Sequence, residues 1–118
     1  MSARIALGLV SDLFFRAKID AVAELAGFET AYASDLESAA RQCAAHHPAI
    51  AIVFVDLSDT SFPASETATI VRANAPDAAL IGFASHVDLK PLNAARAAGF
   101  SRTLSRSEFT SRLADFFR

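Results

Sequence analysis

Several residues able to do chemistry stand where apolar runs stop. Ser11 and Asp12 follow the run at residues 4–10, and Asp56 follows the unbroken apolar run at 49–55. Ala84, Ser85 and His86 come after a third run at 78–83, and Arg106 after a fourth at 102–105. Placement at the C-terminal strand ends would bring two acids and one base together. A guanidinium can grip a carboxylate through two parallel hydrogen bonds, which a lysine cannot do. Each residue also has a plainer use. Asp12 can cap a helix, Asp56 can accept backbone amides in a turn, and Arg106 can point to water. Asp12, Asp56 and His86 together would suit a transition metal. His46 and His47 precede Pro48 at the end of a helical stretch, where positive charge is favoured. Cys43 falls inside that stretch and is expected to act as a small hydrophobe. No glycine-rich phosphate loop, His-Glu-x-x-His or Ser-His-Asp order is present, and an enzyme is not expected.

Five strand-helix units must position these residues. Strands are expected at 4–10, 28–33, 49–55, 78–83 and 102–105. Helices are expected at 13–26, from Ser34-Asp35 to about 46, at 64–74, at 89–98, and after Ser107, which is expected to cap the last one. Within the first helix Phe15, Ile19, Val22 and Ala26 share a face, and in the last Phe109, Leu113 and Phe116 do so. Gly27 and Gly99 follow helices as stops. Such regular alternation predicts an α/β fold, a flavodoxin-like (βα)5 three-layer sandwich with a parallel sheet of order 2-1-3-4-5. In that order the strand C-termini form one rim, where Ser11, Asp12, Asp56, Ser85 and Arg106 converge.

Composition narrows the class of partner. The chain has 118 residues, 53% of them hydrophobic, and is expected to form one domain over 1–118. Its 26 alanines lie mostly in the expected helices, as high helix propensity and close helix-sheet approach require. Eleven basic against thirteen acidic residues give a formal charge of −2, and no basic run is present to neutralise successive phosphates, so nucleic acid is not an expected partner. A single cysteine excludes an internal disulfide, and no apolar run reaches the ~20 residues of a membrane span. A soluble, reduced, cytoplasmic setting is the expectation, with no membrane partner.

With these residues in place, the chain resembles the receiver domain of bacterial two-component response regulators, the CheY-like family, over residues 4–117. The resemblance implies an acidic pair after strand 1, a phospho-accepting aspartate at strand 3, a Ser/Thr after strand 4 and a lysine after strand 5. Asp12 matches the second acid of the pair, with Ser11 at the first, and Asp56 in Val-Phe-Val-Asp-Leu matches the phospho-acceptor. Ala84 stands at the Ser/Thr position with Ser85 next to it, Arg106 stands at the lysine, and Thr103 stands where the family carries a switching Tyr or Phe. The departures imply Mg²⁺ held weakly at most, by Asp12 and Asp56, and a degenerate or pseudo-receiver whose phosphorylation is weak or lost. Such a domain would be a protein-protein interaction module with a histidine kinase or another signalling protein as partner. The alternative is a working single-domain response regulator phosphorylated on Asp56. The resemblance also implies a partner or homodimer surface on helix 4, strand 5 and helix 5. Phe100, Phe109, Phe116 and Phe117 offer that region more aromatic surface than one core face is expected to absorb, with Phe117 expected to be exposed.

Overall fold

The computed structural model describes residues 4–85 and 89–118. Five strands form one parallel sheet in the order β2-β1-β3-β4-β5. They are β1 (Ile5–Leu9), β2 (Glu29–Tyr32), β3 (Ile50–Asp56), β4 (Ala79–Ala84) and β5 (Arg102–Ser105). The helices are α1 (Leu13–Leu25), α2 (Leu36–His46), α3 (Ala64–Asn74), α4 (Lys90–Ala97) and α5 (Arg106–Arg112), the last running into a 3-10 turn at Leu113–Phe117. The expected α/β class, flavodoxin-like architecture and strand order are all found.

Each face of the sheet has its own core. On one side Ala39 and Cys43 of α2, Ala68 and Val71 of α3, and Leu92 and Ala95 of α4 pack against Leu7, Leu9, Val53, Val55 and Leu80. On the other, Phe15 and Ile19 of α1 and Phe109, Leu113 and Phe117 of the C-terminal segment cover Ile52, Phe54, Ile81 and Phe83. Cys43 is a buried free thiol, the small hydrophobe expected of it. The central strands are apolar up to Asp56 at the end of β3 because helices cover both of their faces. Among the described residues no helix is long and apolar enough to cross a membrane.

Local chemistry explains most boundaries. Asp12 caps α1, its Oδ1 accepting the N–H groups of Phe14 at 2.8 Å and Phe15 at 3.3 Å. Asp35 caps α2 in a reciprocal box with Ser38. Gly27 and Gly99, with φ of 78° and 91°, take the left-handed conformation that ends α1 and α4, a region that costs any residue with a Cβ.

Three expectations need correction. Ser105, not Ser107, caps the last helix, because Glu108 lies three residues after Ser105 and closes a capping box with it. This makes Arg106 the first residue of α5. Asp56 is the last residue of β3, paired in register with Phe83, and does not follow the strand. Finally, Phe100, Phe109 and Phe117 are buried, at 8%, 0% and 6% exposure, so the expected interaction surface of exposed aromatics is not formed. Phe109 stacks on Phe83 with ring centroids 4.1 Å apart, and Phe117 meets Phe28 edge-on at 5.0 Å. Phe116 is half-buried, 6.0 Å from Phe54. One aromatic cluster takes in nearly all of that surface.

Candidate functional site

The C-terminal ends of β1, β3, β4 and β5 share one rim, and the candidate residues gather there. Asp56 is its centre. The side chain is only 8% exposed, its Oδ1 accepts the Ser58 N–H at 3.0 Å, and its Oδ2 lies 3.9 Å from a terminal nitrogen of Arg106. Capping by Ser105 fixes where Arg106 begins α5, and its guanidinium also sits over the Phe15 ring, 5.6 Å from the centroid. Thus α1 and α5 jointly aim the cation at the end of β3. The expected two-pronged grip is not made. At 3.9 Å the contact is an ion pair beyond hydrogen-bond range, because the guanidinium stays over Phe15 and remains 45% exposed.

Burial of Asp56 pushes its carboxyl above the usual carboxylate range. The Ser58 N–H and the Arg106 charge pull it down, while the nearby charges of Asp59 and Asp12 add to the rise. Desolvation outweighs the attraction because Arg106 is partly in water and the two acids are close.

Asp59 escaped the sequence reading. The Ser11 hydroxyl donates to its Oδ2 at 3.0 Å, and its Oδ1 accepts the Ser61 N–H at 2.9 Å. Partial burial pushes its pKa upward, but these hydrogen bonds win and hold it below the ordinary carboxylate value. The only local hint was its place three residues after Asp56, where its N–H closes a turn onto the Asp56 carbonyl at 3.1 Å. The rim thus regains a third carboxylate, pinned to the hydroxyl that stands in place of an acid. Leu13 and Phe14 were also missed as surface residues; they are 76% and 66% exposed beside Asp12. Helical spacing turns Phe15 inward and leaves its neighbours out.

The remaining positions follow from their strands. Ala84 ends β4, is 1% exposed and offers no hydroxyl, and Ser85 beside it is half-buried. Thr103 of β5 accepts a hydrogen bond from Arg96 of α4 at 3.0 Å, and Arg96 also donates to Asn93 at 3.1 Å. The Thr103 hydroxyl is thereby tied to α4. His46 closes α2 and meets Gln42, with Nε2 3.0 Å from the amide oxygen. His86, proposed as a metal ligand with Asp12 and Asp56, lies outside the described residues.

The site does not fit a divalent cation as it stands. Among the described residues no group of three His, Cys, Asp or Glu side chains is placed to hold a metal ion. One oxygen of Asp12 is committed to the α1 cap, and the outer oxygen of Asp56 faces the Arg106 cation. Mg²⁺ needs near-octahedral oxygen coordination, and a guanidinium beside its would-be ligand opposes it.

No family model matches the chain, and no curated protein matches it. Solved structures do. A response regulator from Hahella chejuensis superposes with a TM-score of 0.82 at 15% identity, over 98% of this chain and 92% of that one. A response regulator receiver domain protein from Clostridium thermocellum gives 0.79 at 19% identity, over 98% and 91%. The receiver domain of a sensor histidine kinase from Pseudomonas aeruginosa, solved with a magnesium ion coordinated in its active site cleft, gives 0.78 at 14% identity, over 98% and 95%. The fold of this chain is therefore that of the CheY-like response regulator receiver domains.

Proposed function

We propose that this domain is an atypical receiver, a pseudo-receiver that acts as a protein-protein interaction module and not as an enzyme or a phosphorylation switch. The observation that carries the reading is the Asp56–Arg106 ion pair at the rim. A tethered cation there pairs with the carboxylate that would otherwise receive a phosphoryl group, and it opposes the metal whose charge drives such a transfer. Two further features support the same conclusion. A phosphate on Asp56 would find no hydroxyl at Ala84, and Thr103, whose hydroxyl accepts from Arg96, has no aromatic ring to signal its arrival. The chain is left with a receiver's surfaces and without its moving parts, so its signal leaves by contact with a protein partner, a histidine kinase or another signalling protein.

Amide NMR spectra with Mg²⁺ and beryllofluoride, a phosphoryl mimic, test this. The expected result is an unchanged spectrum at millimolar Mg²⁺. Shifts spreading from Asp56 and Ser58 to Ser85 and Thr103 would overturn the reading in favour of a working single-domain response regulator phosphorylated on Asp56.

A further inference from the structure

Helix α1 carries an apolar strip on the face turned away from the sheet. Its Phe15, Ile19 and Ala23 are buried, whereas Leu13, Phe14 and Leu25 stand 76%, 66% and 91% exposed, and Ala17 and Ala21 between them are exposed as well. Leu13, Ala17, Ala21 and Leu25 follow one another at four-residue spacing, so they form one ridge along the whole helix. Scattered surface leucines need no explanation, but three of the four large apolar side chains exposed among the described residues share this one helix.

The charges of α1 are sorted along it. Arg16 and Lys18 lie in its first half, Asp20 and Glu24 in its second. Arg16 and Asp20 are used inside the domain: Arg16 lies over the Tyr32 ring and donates to the Val10 carbonyl, and Asp20 accepts from Thr30 and Tyr32 at 2.8 and 2.6 Å. Lys18 and Glu24 make no ion pair among the described residues. The Lys18 ammonium lies over the exposed Phe14 ring, 4.6 Å from its centroid.

We propose that α1 is a self-association face, on which a second copy of this chain packs its own α1 antiparallel about a two-fold axis level with Ile19. The order of residues selects this occupant. An isologous contact demands a surface complementary to itself, and reversing α1 about Ile19 exchanges Leu13 with Leu25, Ala17 with Ala21 and Phe14 with Glu24. Leucine then meets leucine at both ends, and the alanines let the helices approach at the centre. Glu24 of the second copy stands level with Phe14, where the Lys18 ammonium already lies. A parallel pairing would set Lys18 beside Lys18 and Glu24 beside Glu24. A different protein would cover the strip without requiring its two ends to match. The contact is small. Thirteen residues span about 20 Å, so the buried area falls below the roughly 1,200 Å² of a stable complex, and the dimer is weak and reversible, with a Kd on the order of 100 µM. This face is distinct from α4, β5 and α5, and the inference does not depend on whether Asp56 accepts a phosphoryl group.

Sedimentation equilibrium of the full chain between about 10 µM and about 1 mM, without Mg²⁺ or beryllofluoride, tests the proposal, and its failure would leave the reading of Asp56 untouched. The chain is expected to pass from monomer to dimer over that range, with NMR amide shifts on dilution centred on α1. Ala17→Glu with Ala21→Glu, at exposed positions where glutamate suits a helix, is expected to weaken association by at least about tenfold. Lys18→Glu and Glu24→Lys are each expected to weaken it by about threefold or more, and the double exchange to return it to within about threefold of wild type. Circular dichroism establishes that the variants fold. A monomer throughout the range, or a dimer that the two glutamates leave intact, would overturn the proposal. So would a dimer abolished by Arg102→Glu with Arg112→Glu, which would lie on the α4, β5 and α5 face. A chain that stays monomeric while an added amphipathic helix of another sequence shifts the α1 amides would overturn it by assigning the strip to another partner. Failure of the double exchange to rescue the single variants would overturn the antiparallel arrangement.

Discussion

Replacing Asp56 with Asn removes a charge that the fold holds out of water. Burial favours the protonated carboxyl, and the Ser58 N–H and the Arg106 guanidinium do not overcome it. An Asn side chain keeps an acceptor for Ser58 and loses only the attraction to Arg106. Coulomb's law at an effective dielectric of about 20 gives that attraction roughly 4 kcal/mol at this distance. Arg106 is 45% exposed, however, and measured couplings of pairs open to water bring the figure to about 1 kcal/mol or less. Relief of the buried charge is therefore expected to win, and Asp56→Asn stabilises the fold at pH 7 by on the order of 1 kcal/mol. With an unfolding entropy of roughly 2.1 cal/mol/K per residue, that raises Tm by about 4 °C for a chain of this length. The pH dependence identifies the cause. A carboxyl whose folded pKa lies above its unfolded pKa contributes stability that is complete below the unfolded value and is lost as pH rises through the folded one. The Asn variant lacks that loss, so its advantage grows with pH and vanishes in acid. Urea unfolding followed by circular dichroism between about pH 3 and about pH 7 measures the difference. A variant less stable than wild type at pH 7, or one with the same advantage in acid, would refute the reasoning. Arg106→Ala completes the cycle: it costs up to about 1 kcal/mol more with Asp56 present than with Asn in its place, since the contact with Phe15 is lost in both, and equal costs would remove the ion pair.

Thermal unfolding checks three further substitutions. Phe109→Ala deletes a fully buried ring in contact with Phe15, Phe54, Phe83 and Phe116, and is expected to cost about 3–5 kcal/mol, whereas exposed Phe14→Ala stays within about 0.5 kcal/mol. Similar values for the two would mean that Phe109 is a surface residue. Ser105→Ala is expected to lose about 1 kcal/mol with its capping box, and Ser107→Ala almost nothing; the reverse order would place the helix start two residues later. Gly82→Ala puts a Cβ 2.6 Å from Leu57 and 3.0 Å from Phe100, and the overpacking is expected to cost about 1–3 kcal/mol, a neutral result showing that those side chains can move aside.

Most of the fold was legible because its signals are local. Asp12 and Asp35 open helices with side chains that reach their own first turns, and the apolar run before Asp56 reads as a covered strand with no knowledge of its neighbours. The start of α5 was legible in principle, since Glu108 falls at capping-box spacing from Ser105 and not from Ser107. The candidate site was legible only in outline. Strand ends place Asp56, Asp12 and Arg106 on one rim, but the 3.9 Å separation depends on Phe15 holding the guanidinium aside. The Ser11–Asp59 hydrogen bond joins residues 48 apart, and no pattern along the chain announces it. The fate of the aromatics was hidden for a similar reason, because spacing alone does not tell whether Phe117 finds Phe28 and Phe54 or water.

The same contrast explains how the fold persists at 14–19% identity while the chemistry does not follow from it. A parallel sheet covered on both faces asks only for apolar volume at the right period, which many sequences satisfy. Phosphoryl transfer asks for particular atoms, and losing one carboxylate or hydroxyl costs far more there than in packing. Superposition of backbones is thus nearly blind to Ser11, Ala84, Thr103 and Arg106. What those four can do is decided by their own contacts. Ser11 spends its hydroxyl on Asp59, Thr103 is bonded to Arg96, Ala84 has nothing to give, and Arg106 supplies a charge that cannot dissociate from the chain.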